Sequence, residues 1–184
     1  MQTKNDLFDA GMLRASDFLK RNRILIPIVR KSSSLTATGD YTSAGGGKVR
    51  INVDRSATPT KNPDNYRWSF PGYKIDRTPY GVVAHEFGHH VDATLDFPSR
   101  RLPRGWKQKR ISGYEPNNAE SFAETMKLFI TNPDLLRAGA PIRYRYLQKL
   151  DLVAVDDMPW RDVLAGHGAN ERLLDAADHW INRN

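Results

Sequence analysis

The residues best suited to chemistry are two histidines four apart with a glutamate next to the first, in His85-Glu86-Phe87-Gly88-His89. On a helix this spacing puts both imidazoles on one face, one turn above the other, where they can share a single metal ion. Glu86, beside the pair, can hold a water activated by that metal and act as general base when it attacks a carbonyl. The chain contains no cysteine, so a metal must be held by histidine and carboxylate, and a disulfide scaffold is excluded. Zinc suits such a donor set and lowers the pKa of a bound water towards ~7.

A catalytic zinc keeps one position open and needs a third protein ligand. A histidine six residues past His89 is excluded because Leu95 stands there, and Asp92 replaces the glycine expected in that arrangement. His90 points about 100° away from His89 around the helix. His167, between two glycines, could reach the site, whereas His179 reads as structural. The stretch Asn117-Asn118-Ala119-Glu120-Ser121-Phe122-Ala123-Glu124 is a better source. With Asn118 as cap, Glu120 falls in the first turn of a helix and Glu124 one turn later on the same face. Among Phe122, Ala123, Met126 and Ile130, two stacked carboxylates are costly to bury without a cation. Glu120 is therefore the expected third ligand, and Glu124 the acceptor of an N–H from a ligand histidine. Asp92 is the other carboxylate placed to hold a ligand imidazole. The bland alternative is an exposed acidic helix start favoured by the helix dipole.

These residues need rigid carriers. Thr78-Pro79 reads as a helix cap followed by proline at the first helical position, so a helix is expected over 79–95. Its Val83, Phe87 and Val91 recur on the side away from the histidines and belong to the core. Gly88 lowers helix propensity by roughly 1 kcal/mol relative to alanine, which a close approach by another backbone would justify. Further helices are expected over 5–20, 118–131, 133–138, 141–150, 159–165 and 169–181, from apolar spacing and proline placement. Residues 23–30 read as a buried strand, 32–47 as a glycine-rich loop or hairpin connection, and 48–54 as an alternating strand with Val49, Ile51 and Val53 on one face. Residues 58–72, with three prolines, cannot sustain regular structure for long. Gly45-Gly46-Gly47-Lys48 is not a phosphate loop, because the first glycine is missing and Val49 replaces the hydroxyl residue. The plan is one α+β domain spanning 1–184, a small N-terminal sheet with helices around the motif helix, and a catalytic core at about 79–130.

At 184 residues and 39% hydrophobic content the chain is long enough for one real core. No apolar run approaches a membrane span, and the stretch at 24–29 lacks a signal-peptide cleavage pattern, so a cytoplasmic protein with no membrane partner is expected. The net charge of +7 favours acidic partners. Arg100, Arg101, Arg104, Lys107, Lys109 and Arg110 form a dense cationic run around Trp106, which reads either as a nucleic-acid or acidic-protein surface or as a solvated loop.

Taken together, His-Glu-Phe-Gly-His followed about thirty residues on by Tyr114 and Asn-x-Ala-Glu-x-Phe-Ala-Glu resembles the catalytic core of the anthrax lethal factor-like metallopeptidases, a gluzincin branch. The resemblance spans about 79–130 and rests on two motifs in the right order and distance. It implies that His85, His89 and Glu120 ligate zinc, that Glu86 is the base, and that Tyr114 donates a hydrogen bond to the reacting carbonyl oxygen. Tyr114 stands one residue closer to the glutamate than in the family pattern, and His167 is the alternative donor. The expected function is a zinc endopeptidase acting on a protein substrate, whose backbone would pair with a strand edge at 48–54. Related domains occur in toxins and phage proteins, so a host cytoplasm or a virion is the expected setting. The competing readings are a non-catalytic zinc module and a basic nucleic-acid- or protein-binding module.

Overall fold

The computed structural model describes residues 3–56, 78–108 and 110–155. The helices expected over 159–165 and 169–181, His167, His179, Lys109 and the proline-rich 58–72 lie outside the described residues.

The chain opens with α1 (Lys4–Arg21). Thr3 and Asp6 cap it reciprocally, the Thr3 hydroxyl accepting from Asp6 N at 3.1 Å and the Asp6 carboxylate from Thr3 N at 2.7 Å. Three short strands follow: β1 (Ile28–Lys31), β2 (Gly39–Thr42) and β3 (Lys48–Ile51). Then come α2 (Pro79–Thr94), 3₁₀ turns at Pro98–Arg101 and Trp106–Gln108, α3 (Asn118–Thr131), α4 (Pro133–Gly139) and α5 (Pro141–Lys149). The expected α+β class holds. Prolines at the first turn of α2, α4 and α5 mark three helix starts where the missing N–H has no intrahelical partner to lose.

The sheet order is β1-β3-β2, with β1 parallel and β2 antiparallel to β3. This corrects one expectation and fills in another. The strand at 48–54 is shorter and central, its two edges taken by neighbours, so it cannot pair with substrate. The stretch 32–47, expected as a loop or hairpin connection, contains β2, which forms a hairpin with β3, is an edge strand among the described residues and packs beside α2. Alternation does hold within β3, where Val49 and Ile51 are fully buried and Lys48 and Arg50 exposed. The stretch 23–30 is not a buried strand. Pairing begins only at Ile28, beyond Pro27; Leu25, Ile26 and Ile28 are exposed, and β1 is the opposite edge among the described residues.

One apolar cluster joins all the helices and the sheet. Phe18, Val49, Ile51, Val83, Phe87, Val91, Phe122, Phe129 and Ile130 are among its fully buried members. Burying each such side chain contributes about 1.5–3 kcal/mol. α2 lies at the centre, buried on nearly every side rather than on one face, between α1, α3 and the sheet. No described helix is long and apolar enough to cross a membrane.

Candidate metal centre

α2 and α3 set the site by how closely they approach. A Cβ on Gly88 would lie 2.9 Å from Met126 Cβ and 3.0 Å from both Cα and O of Ala123. The helix-weakening glycine is therefore required by contact with the α3 backbone. α3 begins one residue earlier in its capping than expected: Asn117, not Asn118, accepts from Glu120 N at 2.9 Å. The extended conformation of Asn117 suits the cap, and Glu120 stays in the first turn.

This approach brings His85, His89 and Glu120 together, with one donor atom from each within 4.8 Å of the others. Glu120 Oε2 lies 3.0 Å from His85 Nε2 and 3.4 Å from His89 Nε2. It is buried, yet neither contact has the alignment of a hydrogen bond. An orphaned carboxylate oxygen between two imidazole nitrogens is what three ligands converging on a common ion look like, and the group is close enough to hold a metal. Glu120 is held well below the usual carboxylate range: burial opposes this, but its contacts with His85 and His89 prevail.

The opposite nitrogen of His85, Nδ1, lies 2.6 Å from Glu124 Oε1, which places Glu124 as the expected acceptor of an imidazole N–H and leaves Nε2 facing Glu120. The same oxygen meets Lys127 Nζ at 2.7 Å. Burial alone would lower the His85 pKa, but Glu120 and Glu124 outweigh it and hold it up to about 9. Lys127 was missed in the sequence. Its position three residues after Glu124 was the available signal, since such pairs share a helix face.

Glu86 is also buried. Burial pushes its carboxyl up from the ordinary value against the pull of His85 and His89. Its carboxylate packs on β2, where a Cβ at Gly39 would stand 2.5 Å from Glu86 Oε1. Nothing local marked Gly39, because only the pairing of β2 with β3 carries it over α2. The Tyr114 ring sits 5.9 Å from that of His85 and is exposed.

Asp92 does not orient a ligand histidine. Its two oxygens accept from Ser99 N at 2.9 Å and Ser99 Oγ at 2.7 Å, fixing the turn after α2. His90 also turns away, its Nε2 2.7 Å from Leu25 O. In the cationic run Arg100, Arg101, Arg104, Lys107 and Arg110 are exposed, but Trp106 is not available for base stacking. It is buried against Phe122 and donates from Nε1 to Ser121 Oγ at 2.8 Å.

A cleft of about 680 Å³ adjoins His89, between the end of β2, the Phe97–Arg100 turn and the start of α3. Comparison of the chain with protein-family models, curated proteins and solved structures gives no match.

Proposed function

We propose that the protein is a zinc-dependent endopeptidase of the lethal factor-like, gluzincin kind. The observation that carries the reading is the convergence of His85, His89 and Glu120 beside a buried Glu86. The separations of 3.0 and 3.4 Å from Glu120 Oε2 to the two imidazole nitrogens suit a tetrahedral ion with ligand bonds of about 2.0–2.2 Å. Zinc held there would supply Lewis acidity to a water and to the peptide carbonyl.

The chain's own groups do the rest. Glu124 accepts the Nδ1–H of His85, which keeps the lone pair of Nε2 for the metal, and Lys127 balances the Glu124 charge. Glu86 takes a proton from the attacking water and passes it to the departing amine nitrogen. A site kept only for structure has no use for this buried base. Tyr114 donates from its hydroxyl to the carbonyl oxygen as negative charge develops there. The substrate backbone adds to the β2 edge, which lies against α2 and leads into the cleft beside His89. The exposed cations Arg101, Arg104, Lys107 and Arg110 provide a further surface for an acidic partner, whose association should weaken as salt rises.

The test is metal analysis of the purified protein together with a peptide-cleavage screen, on wild type and Glu86→Gln. The variant should retain its zinc and fold and lose about 10²–10⁴-fold in rate, the usual worth of a general base. Wild-type protein without zinc affinity, or Glu86→Gln cleaving at the wild-type rate, would contradict the mechanism.

A further inference from the structure

The cleft beside His89 has an uneven charge. Its one carboxylate, Asp92, is buried and committed through both oxygens to Ser99. Its one arginine, Arg100, has its guanidinium carbon 4.3 Å from the centroid of the Phe97 ring. The nearby Asp96 is engaged by Arg101, with Arg101 Nη2 3.0 Å from Asp96 O and 3.5 Å from its carboxylate. Among the described residues no carboxylate pairs with Arg100.

The backbone that presents this pair is held in an unfavourable shape. Asp96 and Phe97 are consecutive non-glycine residues in the left-handed region, at φ 57° and 55°. Asp92 pins them from both sides, its carbonyl accepting from Phe97 N at 2.7 Å and its side chain clamping Ser99. Strain maintained by dedicated contacts beside a reaction centre points to a function for the side chains it presents. A guanidinium backed by an aromatic face is oriented before ligand arrives and offers a fork that matches a carboxylate.

We propose that Arg100, stacked on Phe97, forms a specificity subsite for an acidic substrate side chain, Asp or Glu, lying close to the scissile bond. The inference rests on the peptidase reading, and the test separates the two. Zinc-loaded full-length protein is given a randomised peptide library, and the cut sites are read by mass spectrometry. Wild type should enrich Asp and Glu at one position near the cut. Arg100→Glu should abolish that enrichment or invert it towards Lys and Arg, and lower kcat/KM on a Glu-containing peptide about tenfold, since reversal replaces attraction with repulsion. Arg100→Gln should give a smaller loss. Lys20→Glu, an equal charge change on α1, should leave the profile unchanged, and zinc content should be the same in all four proteins. Cleavage without acidic enrichment, or enrichment that survives Arg100→Glu, overturns the subsite alone. A library left uncut by the zinc-loaded wild type removes the peptidase reading and the subsite with it.

Discussion

α3 carries a buried ionic cluster on each of two sides, and they differ in one respect. On one side Glu115 and Arg143 form a closed set. Glu115 Oε1 accepts from Ile111 N and Ser112 N at 3.0 and 3.1 Å, and its Oε2 from Ser121 Oγ and Arg143 Nη2 at 2.8 and 2.9 Å. Arg143 also donates to Trp106 O and Thr125 Oγ1 and lies over the Trp106 ring. On the other side Glu124 is tied to His85 and Lys127, but Glu120 Oε2 sits between two imidazoles without a hydrogen bond. Both clusters are buried and charged, so burial alone does not identify a functional site. What separates them is completeness: the first network is saturated, whereas the second leaves Glu120 Oε2 in a group of three donors close enough to hold a metal.

The contrast can be broken most directly at Glu120. Glu120→Ala should lower zinc affinity by more than about 10²-fold, beyond the usual effect of removing an outer partner of a ligand. Metal-free stability should fall only modestly, since Glu120 loses its contacts with the two imidazoles but His85 keeps Glu124. Full zinc occupancy by elemental analysis would take Glu120 off the ligand list.

Arg143→Met should do the reverse. Removing one partner of a buried ion pair costs about 3–5 kcal/mol, or roughly 10 °C in melting temperature for a chain of this size. Zinc stoichiometry of the folded fraction should hold. A metal loss without a stability loss would erase the distinction between the clusters.

Tyr114→Phe probes the link between them, since Tyr114 N donates to Ser112 Oγ at 2.8 Å beside the closed network while its ring faces His85. As an oxyanion donor it is worth roughly 2.7–4 kcal/mol, so kcat should fall about 10²–10³-fold with little change in KM. A loss below tenfold that tracks melting temperature would make it a turn anchor only.

The smallest effect is expected at Gly88. Alanine would gain roughly 1 kcal/mol of helix propensity, but forcing a methyl onto the α3 backbone costs about 1–3 kcal/mol. Gly88→Ala should therefore be modestly destabilised by denaturant titration and bind zinc less tightly. A stabilised variant would show that α2 and α3 can part without cost.

What could be read from the sequence was whatever lies within one helix. The spacing of His85 and His89, the same-face placement of Glu120 and Glu124, and the bounds of α3 follow from 3.6-residue periodicity and capping, which are local. Even there a neighbouring asparagine took the cap, because either of two adjacent residues could serve. Asp92 was misassigned for the same reason in reverse: a carboxylate on the ligand helix has several partners in reach, and only the turn after α2 decided that Ser99 is the one. Strand order, the β2 edge, the contact of Gly39 with Glu86, the burial of Trp106 within a cationic run and the Glu115–Arg143 network join residues distant in sequence. Their pairing is set by packing and loop closure, which no local pattern encodes, and so only the tertiary structure decided them.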